Sequence, residues 1–347
     1  MRKDFAIGSR KIGDGHPLFI IAECGITCNY DLDITKKLID VTAEAGADAI
    51  KFIFWFPDEI MCDKTVTTTY QTVRGPEVVN MYDRFNSLRF TLDEWKEVKT
   101  YADKKGVIVF STVNSPSGIE YAEALKLDAY KLSSWDYNDL PLWKKVAEIG
   151  KPMLIDTGPV FTEDVAKVMK IMKDAGNDQS LLLHCFHTGI PAEMNMRAIP
   201  YMRETFDTLV GFSATDTDDT MDIVAVSLGA CVLEKRITLD RSLPGHHHVL
   251  SKLPDEFSKY VRAMRDVHAS LGTFGLNPSA NDLKERKKHF RHLVANTDLK
   301  AGTVLTADML ASKRGEYDVS PEHIGKFIGA TLKRDLKENE SILLTDV

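Results

Sequence analysis

The sequence lacks several features that would assign it to a broad class of protein. It has no apolar run near the ~18–20 residues that a membrane-spanning helix needs. Its 44 Lys and Arg residues are outnumbered by 51 Asp and Glu residues, which gives a formal net charge of −7. Such a balance argues against a main role in gripping a nucleic-acid backbone. We therefore expect neither a membrane nor a nucleic acid as a partner.

Cysteine is also scarce, and its spacing carries no motif. The five cysteines form no CxxC pair and no Cys/His zinc pattern. The first residues lack the apolar stretch and small-residue cleavage site of a signal peptide. We expect a cytoplasmic protein with reduced thiols.

What the sequence does contain is a regular alternation of short apolar runs and longer amphipathic stretches. The chain of 347 residues has the length of one large domain plus a small one. Each apolar run is nearly continuous, as expected for parallel strands that are covered on both faces. The eight runs are Leu18–Gly25, Ala49–Phe54, Val107–Val113, Ala129–Ser134, Pro152–Gly158, Ser180–Phe186, Leu209–Thr215 and Cys231–Leu239.

This alternation predicts an α/β fold, a (β/α)8 TIM barrel. A doubly wound open sheet is the alternative, but the sequence has no dinucleotide-binding glycine motif to support it. We place the barrel in residues 1–272, a linker in residues 273–284 and a small, mostly β domain in residues 285–347. Residues 57–90 follow the second strand and far exceed the ~2–6 residues usual for such a loop, so we predict a lid or substrate loop.

Polar residues occur at the carboxyl end of every predicted strand, where barrel enzymes have their active sites. A polar residue at one strand end could have a purely structural role. Polar residues at all eight strand ends are hard to explain by packing, because an unpaired buried ion costs several kcal/mol. The lysines and hydroxyl groups suit a small anion, and the carboxylates suit acid/base roles. The sequence therefore predicts an enzyme that acts on a phosphorylated or carboxylated small molecule. The main candidates are Glu23, Lys51, Ser111, Thr112, Lys131, Ser134, Asp136, Asp156, His184, Ser213, Glu234, Lys235 and Arg236.

A collinear set of motifs resembles the N-acetylneuraminate (sialic acid) synthase family, and the tail resembles that family's antifreeze-like (SAF) domain. The motifs span nearly the whole chain, which makes the resemblance more specific than any one of them. They include Ile21-Ala22-Glu23-Cys24-Gly25, Ala49-Ile50-Lys51-Phe52, Phe110-Ser111-Thr112, Tyr130-Lys131-Leu132-Ser133-Ser134, Leu183-His184-Cys185, Asn195-Met196-Arg197-Ala198-Ile199, Gly211-Phe212-Ser213, Leu233-Glu234-Lys235, Leu293-Val294-Ala295 and Lys313-Arg314.

The resemblance implies that phosphoenolpyruvate condenses with an N-acylated aldose to give a 3-deoxy-2-keto sugar acid and phosphate. It implies a domain-swapped homodimer, in which Arg314 and Phe290 from the second chain's small domain reach the sugar. Carried over by position, the remaining residues divide into two groups. Phosphoenolpyruvate would be bound by Lys51, Thr112, Lys131, Ser134 and Ser213. The reacting centre or the sugar would be contacted by Glu23, Asp136, Glu234 and Asn195. Further substrate-binding candidates, outside these two groups, are Asp156, His184 and His247.

The sequence departs from the family pattern at the metal site. The family uses a manganese or magnesium ion, and its two histidine ligands are replaced here by Thr215 and Arg236. We predict that no metal binds and that Arg236, as a fourth catalytic residue, supplies part of the ion's positive charge to the aldehyde oxygen. A metal at the triplet that contains His247 is disfavoured, because three consecutive imidazoles cannot reach one ion.

Four alternatives remain open at this stage. The protein could be an impaired relative that binds phosphoenolpyruvate or a sugar acid in a regulatory or scaffolding role. It could be a synthase for an unusual aldehyde. It could be a Schiff-base aldolase that uses Lys131 or Lys51. Arg236 could also form a plain salt bridge with Glu23, Asp156 or Asp216 in an inactive site.

Overall fold

The computed structural model describes residues 2–213, 217–245, 247–315 and 318–347. The chain divides into two compact units, Met1–Gly272 and Thr273–Val347. The first contains a closed barrel and the second a small domain with a core of its own. Each unit is described by itself below.

Strands account for the barrel and for three two-stranded sheets. In chain order they are β1 (Phe5–Ile7), β2 (Arg10–Ile12), β3 (Phe19–Glu23), β4 (Ala49–Ile53), β5 (Thr67–Thr72), β6 (Gly75–Asn80), β7 (Ile108–Thr112), β8 (Tyr130–Leu132), β9 (Met153–Asp156), β10 (Ser180–His184), β11 (Leu209–Ser213), β12 (Val232–Arg236), β13 (Arg291–Ala295) and β14 (Leu310–Arg314).

The α-helices mostly follow the barrel strands, and several begin with a side-chain cap. For example, Thr91 and Glu94 form a reciprocal capping box at the start of α4. The helices are α1 (Leu32–Ala45), α2 (Pro57–Ile60), α3 (Met81–Ser87), α4 (Leu92–Lys105), α5 (Pro116–Ala124), α6 (Leu140–Glu148), α7 (Thr162–Asp174), α8 (Ala198–Thr205), α9 (Thr220–Ser227), α10 (Pro254–Ser270) and α11 (Ala280–His289).

Eight parallel strands close into the barrel in the order β3, β4, β7, β8, β9, β10, β11, β12. The last strand, β12, pairs with the first, β3, and this register sets Arg236 opposite Glu23. All eight predicted strands are present, each at or inside its predicted bounds, and the predicted TIM barrel is confirmed.

Side chains alternate between the barrel interior and the layer of helices, as the period of two in a strand requires. In β12, Val232 packs in the interior cluster while Leu233 packs in the outer one. The N-terminal hairpin β1–β2, which the sequence analysis did not anticipate, contributes Phe5, Ile7 and Ile12 to the same interior cluster. A packed interior leaves the opposite end of the barrel for polar residues.

The long segment after β4 has regular structure. Strands β5 and β6 form an antiparallel hairpin in which Thr67 pairs with Asn80 and Thr72 with Gly75. Helix α2 precedes this hairpin and α3 follows it. The segment therefore brings ordered side chains to the carboxyl end of the barrel, as a predicted lid or substrate loop would.

The second unit is small and mostly β. Strands β13 and β14 pair antiparallel, and short bridges join Val294 to Ser341 and Leu299 to Leu336. Its core contains Leu293, Phe327 and Ile342 among other apolar residues. The predicted linker, residues 273–284, also contains the first half of α11, so its non-helical part ends at residue 279. Among the described residues, no helix is both long and apolar enough to cross a membrane.

Candidate active site

One large cavity of about 670 Å³ lies at the carboxyl ends of the barrel strands. Most of the residues predicted for the site line it together. They come from separate strands and strand ends, because the barrel brings the ends of parallel strands to one face. The predicted residues in this cavity are Glu23, Lys51, Thr112, Lys131, Ser134, Asp136, Asp156, Ser213, Glu234, Arg236 and His247.

Lys131 forms the centre of a buried charge cluster. Its Nζ lies 2.7 Å from Oε1 of Glu234 and 3.0 Å from Oδ1 of Asp156. The residue is only 2% exposed. Burial alone would lower the pKa of Lys131, but the two carboxylates outweigh burial and raise that pKa above its usual value. Lys131 is therefore a permanent cation at the base of the cavity.

Lys51 and Arg236 extend the cluster through Glu23. Nζ of Lys51 lies 3.0 Å from Oε1 of Glu23 and 3.6 Å from Oε1 of Glu234. Nε of Arg236 lies 3.2 Å from the other oxygen of Glu23, Oε2. Burial opposes ionisation of Glu23, but the two cations lower its pKa to about 2. The salt bridge between Arg236 and Glu23, which the sequence analysis left as an alternative, is thus present.

The pKa values of the other two carboxyl groups of the cluster, Glu234 and Asp156, are shifted in opposite directions. Burial would raise the pKa of Glu234, but Lys131 and Lys51 lower it below the usual value. Burial raises the pKa of Asp156, and the charge of Glu234 adds to that effect, although Lys131 opposes it. Asp156 is therefore the carboxyl group of the cluster that takes up a proton most readily.

Asp136 lies beyond the end of β8, in a 3₁₀ turn that spans Ser134–Asp136. Burial and the charge of Asp139 raise the pKa of Asp136 to about 7. A carboxyl group with such a pKa can hold or release a proton near neutral pH. The hydroxyl of Ser213 donates to Oε1 of Glu234 over 3.1 Å, so a donor lies beside the charge cluster.

The structure places two predicted residues elsewhere in the barrel. His184 and Asn195 line a second cavity of about 430 Å³, between the regions that follow β9 and β10. A ring nitrogen of His184, Nε2, lies 2.9 Å from the carbonyl oxygen of Met194. Burial lowers the pKa of His184. We predicted both residues beside the substrate; they line this second cavity, which shares Cys185 and His187 with the main cavity.

Arg314 and Phe290, which the resemblance assigns to the sugar, lie in the second unit. Arg314 ends β14 opposite Arg291, and the Arg286 guanidinium lies 3.9 Å from the ring centre of Phe290. Thr215 lies outside the described residues.

Lys235, which the sequence grouped with the cavity cations, points outward from the barrel. Its Nζ lies 2.7 Å from Oδ2 of Asp222 and 2.5 Å from the carbonyl oxygen of Asp218. Tyr260 donates to the other oxygen of Asp222. Glu234 and Arg236 face the interior, so period-two alternation alone could have excluded Lys235 from the cavity.

Several cavity residues were missed as site candidates, and most come from residues 57–90 or are aromatic. Trp55 stacks on Phe85 with ring centres 4.1 Å apart, and Trp135 stacks on His187 at 4.9 Å. Trp135 is 69% exposed. The position of an aromatic residue next to a strand end could have identified Trp55 and Trp135 as site candidates from the sequence. Further missed lining residues are Tyr70, Met81, Arg84, Asn114 and Cys185.

The cluster does not fit the divalent metal that the resemblance implies. A guanidinium lies against Glu23, and the carboxylates of Glu234 and Asp156 already pair with Lys131. Within the described parts of the chain, no group of three or more His, Cys, Asp or Glu side chains is placed to hold a metal ion. Fixed cations repel a metal ion and occupy the oxygens that would bind it.

The chain is similar to several known proteins over most of its length. The chain is 28% identical to the N,N'-diacetyllegionaminic acid synthase of Legionella pneumophila (97% of this chain, 96% of that protein). It is 30% identical to human N-acetylneuraminate-9-phosphate synthase (96% and 94%). The crystal structure of the N-acetylneuraminic acid synthetase of Leptospira borgpetersenii, in complex with citrate, matches with a TM-score of 0.72 and 25% identity (82% and 95%).

Family models cover most of the chain. The NeuB family model matches residues 38–275, and the SAF domain model matches residues 290–347. These matches confirm the resemblance found in the sequence. With the barrel, the charge cluster and these relatives taken together, the chain belongs to the NeuB family and carries a SAF domain at its C-terminal end.

Proposed function

We propose that this protein condenses phosphoenolpyruvate with the open-chain form of an aldose, giving a 3-deoxy-2-keto sugar acid and inorganic phosphate. The observation that supports this most strongly is the pair of buried lysines, Lys51 and Lys131, in one cavity with hydroxyl donors and a titratable carboxyl group. Lysines and hydroxyls bind a small dianion or trianion well. The synthases similar to this chain make sugar acids of the same kind, as their names state.

The lysines would orient phosphoenolpyruvate. Lys51 and Lys131 bind its phosphate and carboxylate, and Thr112, Ser134 and Ser213 donate to the remaining oxygens. Lys131 exchanges its contact with Asp156 for the ligand, since Asp156 has the raised pKa and most readily loses its charge. Glu234 keeps both lysines in place, at 2.7 Å and 3.6 Å.

The condensation itself requires charge stabilisation and one proton acceptor. Carbon 3 of phosphoenolpyruvate forms a bond to the aldehyde carbon as the carbon–carbon double bond is consumed, and the aldehyde oxygen takes up a proton from solvent. The Arg236 guanidinium, held by Glu23, stabilises the negative charge that develops on that oxygen. Water then adds to carbon 2 and gives its proton to Asp136, whose pKa of about 7 suits that role. Cleavage of the bond between carbon 2 and the phosphate oxygen then passes the remaining hydroxyl proton to the departing phosphate and leaves the ketone, and Asp136 returns its proton to solvent.

The same proposal covers the need for a metal, the oligomeric state and the location of the protein. The catalyst needs no divalent metal, because Arg236 supplies the positive charge. The active form is a domain-swapped homodimer in the cytoplasm, in which Phe290 of the partner subunit and Arg314 of the partner subunit complete the sugar site. This arrangement is the one that the resemblance to the sialic acid synthase family implies. His184 and Asn195, which line the adjoining second cavity, would contact the sugar from there.

A second candidate function is binding without turnover. It is favoured by the full pairing of Lys51, Lys131 and Arg236 with three carboxylates, which leaves the cluster close to neutral. A Schiff-base mechanism is disfavoured, because the raised pKa of Lys131 keeps its amine protonated and not nucleophilic.

The test is release of inorganic phosphate from phosphoenolpyruvate in the presence of N-acyl hexosamines and related aldoses. We expect aldose-dependent phosphate release that is lost in Lys51→Met. Glu120→Gln, at an exposed helix position, is the control. Absence of phosphate release across a broad panel, together with thermal stabilisation by phosphoenolpyruvate, would instead establish the binding function.

A further inference from the structure

Arg84 is a partly buried cation that lines the main cavity and that the proposed mechanism does not use. It lies in α3, after the β5–β6 hairpin, and lines the cavity. Two atoms of its guanidinium, Nε and Nη2, are buried and have no hydrogen-bond partner. Burying donors of a cation in this way is costly unless a ligand completes them.

The other cations of the cavity differ from Arg84 in their partners. Lys51, Lys131 and Arg236 each have a carboxylate oxygen within 3.2 Å. Among the described residues, no carboxylate lies within 4.0 Å of the Arg84 guanidinium. The charge of Arg84 is therefore available to a ligand, whereas the charges of the other three are already balanced.

Three titratable groups close enough for Arg84 to shift their pKa values are neutral at pH 7. The pKa of Tyr30 is raised by burial, and so is that of Tyr70, although Arg84 opposes both shifts. Burial and the charge of Arg84 lower the pKa of His248 to about 4. None of these three groups balances the charge of Arg84.

The backbone opposite Arg84 leaves room for the guanidinium. Gly245 has φ of +124°, a conformation that favours glycine. A Cβ at this position would lie 2.3 Å from Nη2 of Arg84 and 3.2 Å from Oδ1 of Asn29. The absence of a side chain at Gly245 keeps the guanidinium beside the cavity.

We propose that Arg84 binds an anionic group, a carboxylate or a phosphate, on the aldose substrate, away from the reacting aldehyde. The proposal rests on the proposed function, in which the lysines at the strand ends take the two anionic groups of phosphoenolpyruvate. Arg84 belongs to a different element, the segment after β4, so the second substrate is the ligand that it would contact. The planar fork of arginine matches either oxyanion with two parallel hydrogen bonds.

The experiment compares three acceptors: an N-acyl hexosamine, its 6-phosphate and the corresponding 6-carboxylate. For the wild-type protein, we expect kcat/KM for one charged acceptor to exceed that for the neutral one by about 10- to 100-fold, as for hydrogen bonds to a charged group. The faster of the two charged acceptors identifies the group. Arg84→Gln should remove the preference while leaving the KM for phosphoenolpyruvate unchanged.

Arg74→Gln is the matched control, because Arg74 is exposed at the turn of the β5–β6 hairpin. It should keep the full preference. Because Arg84 has unpaired buried donors, Arg84→Gln should also unfold at the same or a higher temperature than the ligand-free wild type, which shows that the variant folds.

Calorimetric titration of the same three sugars, with phosphoenolpyruvate present, reads the preference without turnover. Equal binding and equal kcat/KM for neutral and charged acceptors would overturn the role of Arg84. A raised KM for phosphoenolpyruvate in Arg84→Gln would overturn it too, since Arg84 would then bind the other substrate. Absence of phosphate release with every acceptor overturns the proposed function instead, and the titration still tests Arg84.

Discussion

Nζ of Lys131 lies 3.0 Å from Oδ1 of Asp156, so the lysine that would bind phosphoenolpyruvate already forms an ion pair with a carboxylate. We expect Asp156→Ser to strengthen binding of phosphoenolpyruvate by about tenfold, because the ligand no longer displaces a buried charge. Calorimetric titration of phosphoenolpyruvate measures the change.

The control for this variant is Asp178→Asn, which removes an exposed carboxylate that pairs with Lys3 outside the cavity. It should leave the affinity for phosphoenolpyruvate unaltered. Weaker binding in Asp156→Ser would mean that Asp156 positions the ligand directly, contrary to its proposed role as a competitor.

Arg236 should make the reaction independent of divalent metal. We expect activity to survive dialysis against a chelator, and Arg236→Ala to reduce kcat by about 100-fold, since loss of one oxyanion donor has costs of this size. Arg236→Lys should recover part of the loss by restoring the charge without the fork. Activity that disappears on chelation and returns with manganese or magnesium would contradict this role.

Asp136 should give the protein two pH dependences. Its pKa is about 7 in the folded state and ~4 in an unfolded chain. The folded protein therefore holds a proton that the unfolded chain releases, and the contribution of Asp136 to the free energy of unfolding falls as pH rises from about 4 to 7. Asp136→Asn should lack this decrease, so its melting temperature should exceed that of the wild type by more at pH 7.5 than at pH 5.

The activity should change in the opposite direction over the same range. Because the proposed role requires ionised Asp136, kcat/KM should increase with pH around a midpoint near 7. Asp136→Asn should be nearly inactive at every pH. A flat profile of kcat/KM between pH 5.5 and 8.5 would exclude Asp136 as the base.

Sharing of sites between subunits can be tested by complementation. Lys51→Met and Arg314→Ala should each be inactive alone, because one lacks a barrel residue and the other a SAF residue. Mixed and refolded together, they should recover about a quarter of wild-type activity, since half of a random population of dimers is mixed and each mixed dimer has one intact site. No recovery, or an active protein truncated after Gly272, would contradict the shared site.

Much of the barrel follows from local properties of the sequence. Continuous apolar runs and turn glycines are visible in the sequence, and the eight strands fall within the predicted runs. Polar residues at strand ends were also sufficient to predict most of the main cavity, because parallel strands in a barrel end on one face. Even the outward direction of Lys235 was available from its alternation with Glu234.

The tertiary structure determines which residues that are distant in the sequence form ion pairs and hydrogen bonds. His184 alternates with the interior residue Leu183, but only the fold shows that its partner is the carbonyl oxygen of Met194. The sequence offers Lys51, Lys131 and Arg236 as free cations, whereas folding pairs each with a carboxylate from another strand. It also leaves Arg84 without one. Such pairings depend on distances across the barrel, which local composition and spacing do not encode, so only the folded chain determines which charges remain for a ligand.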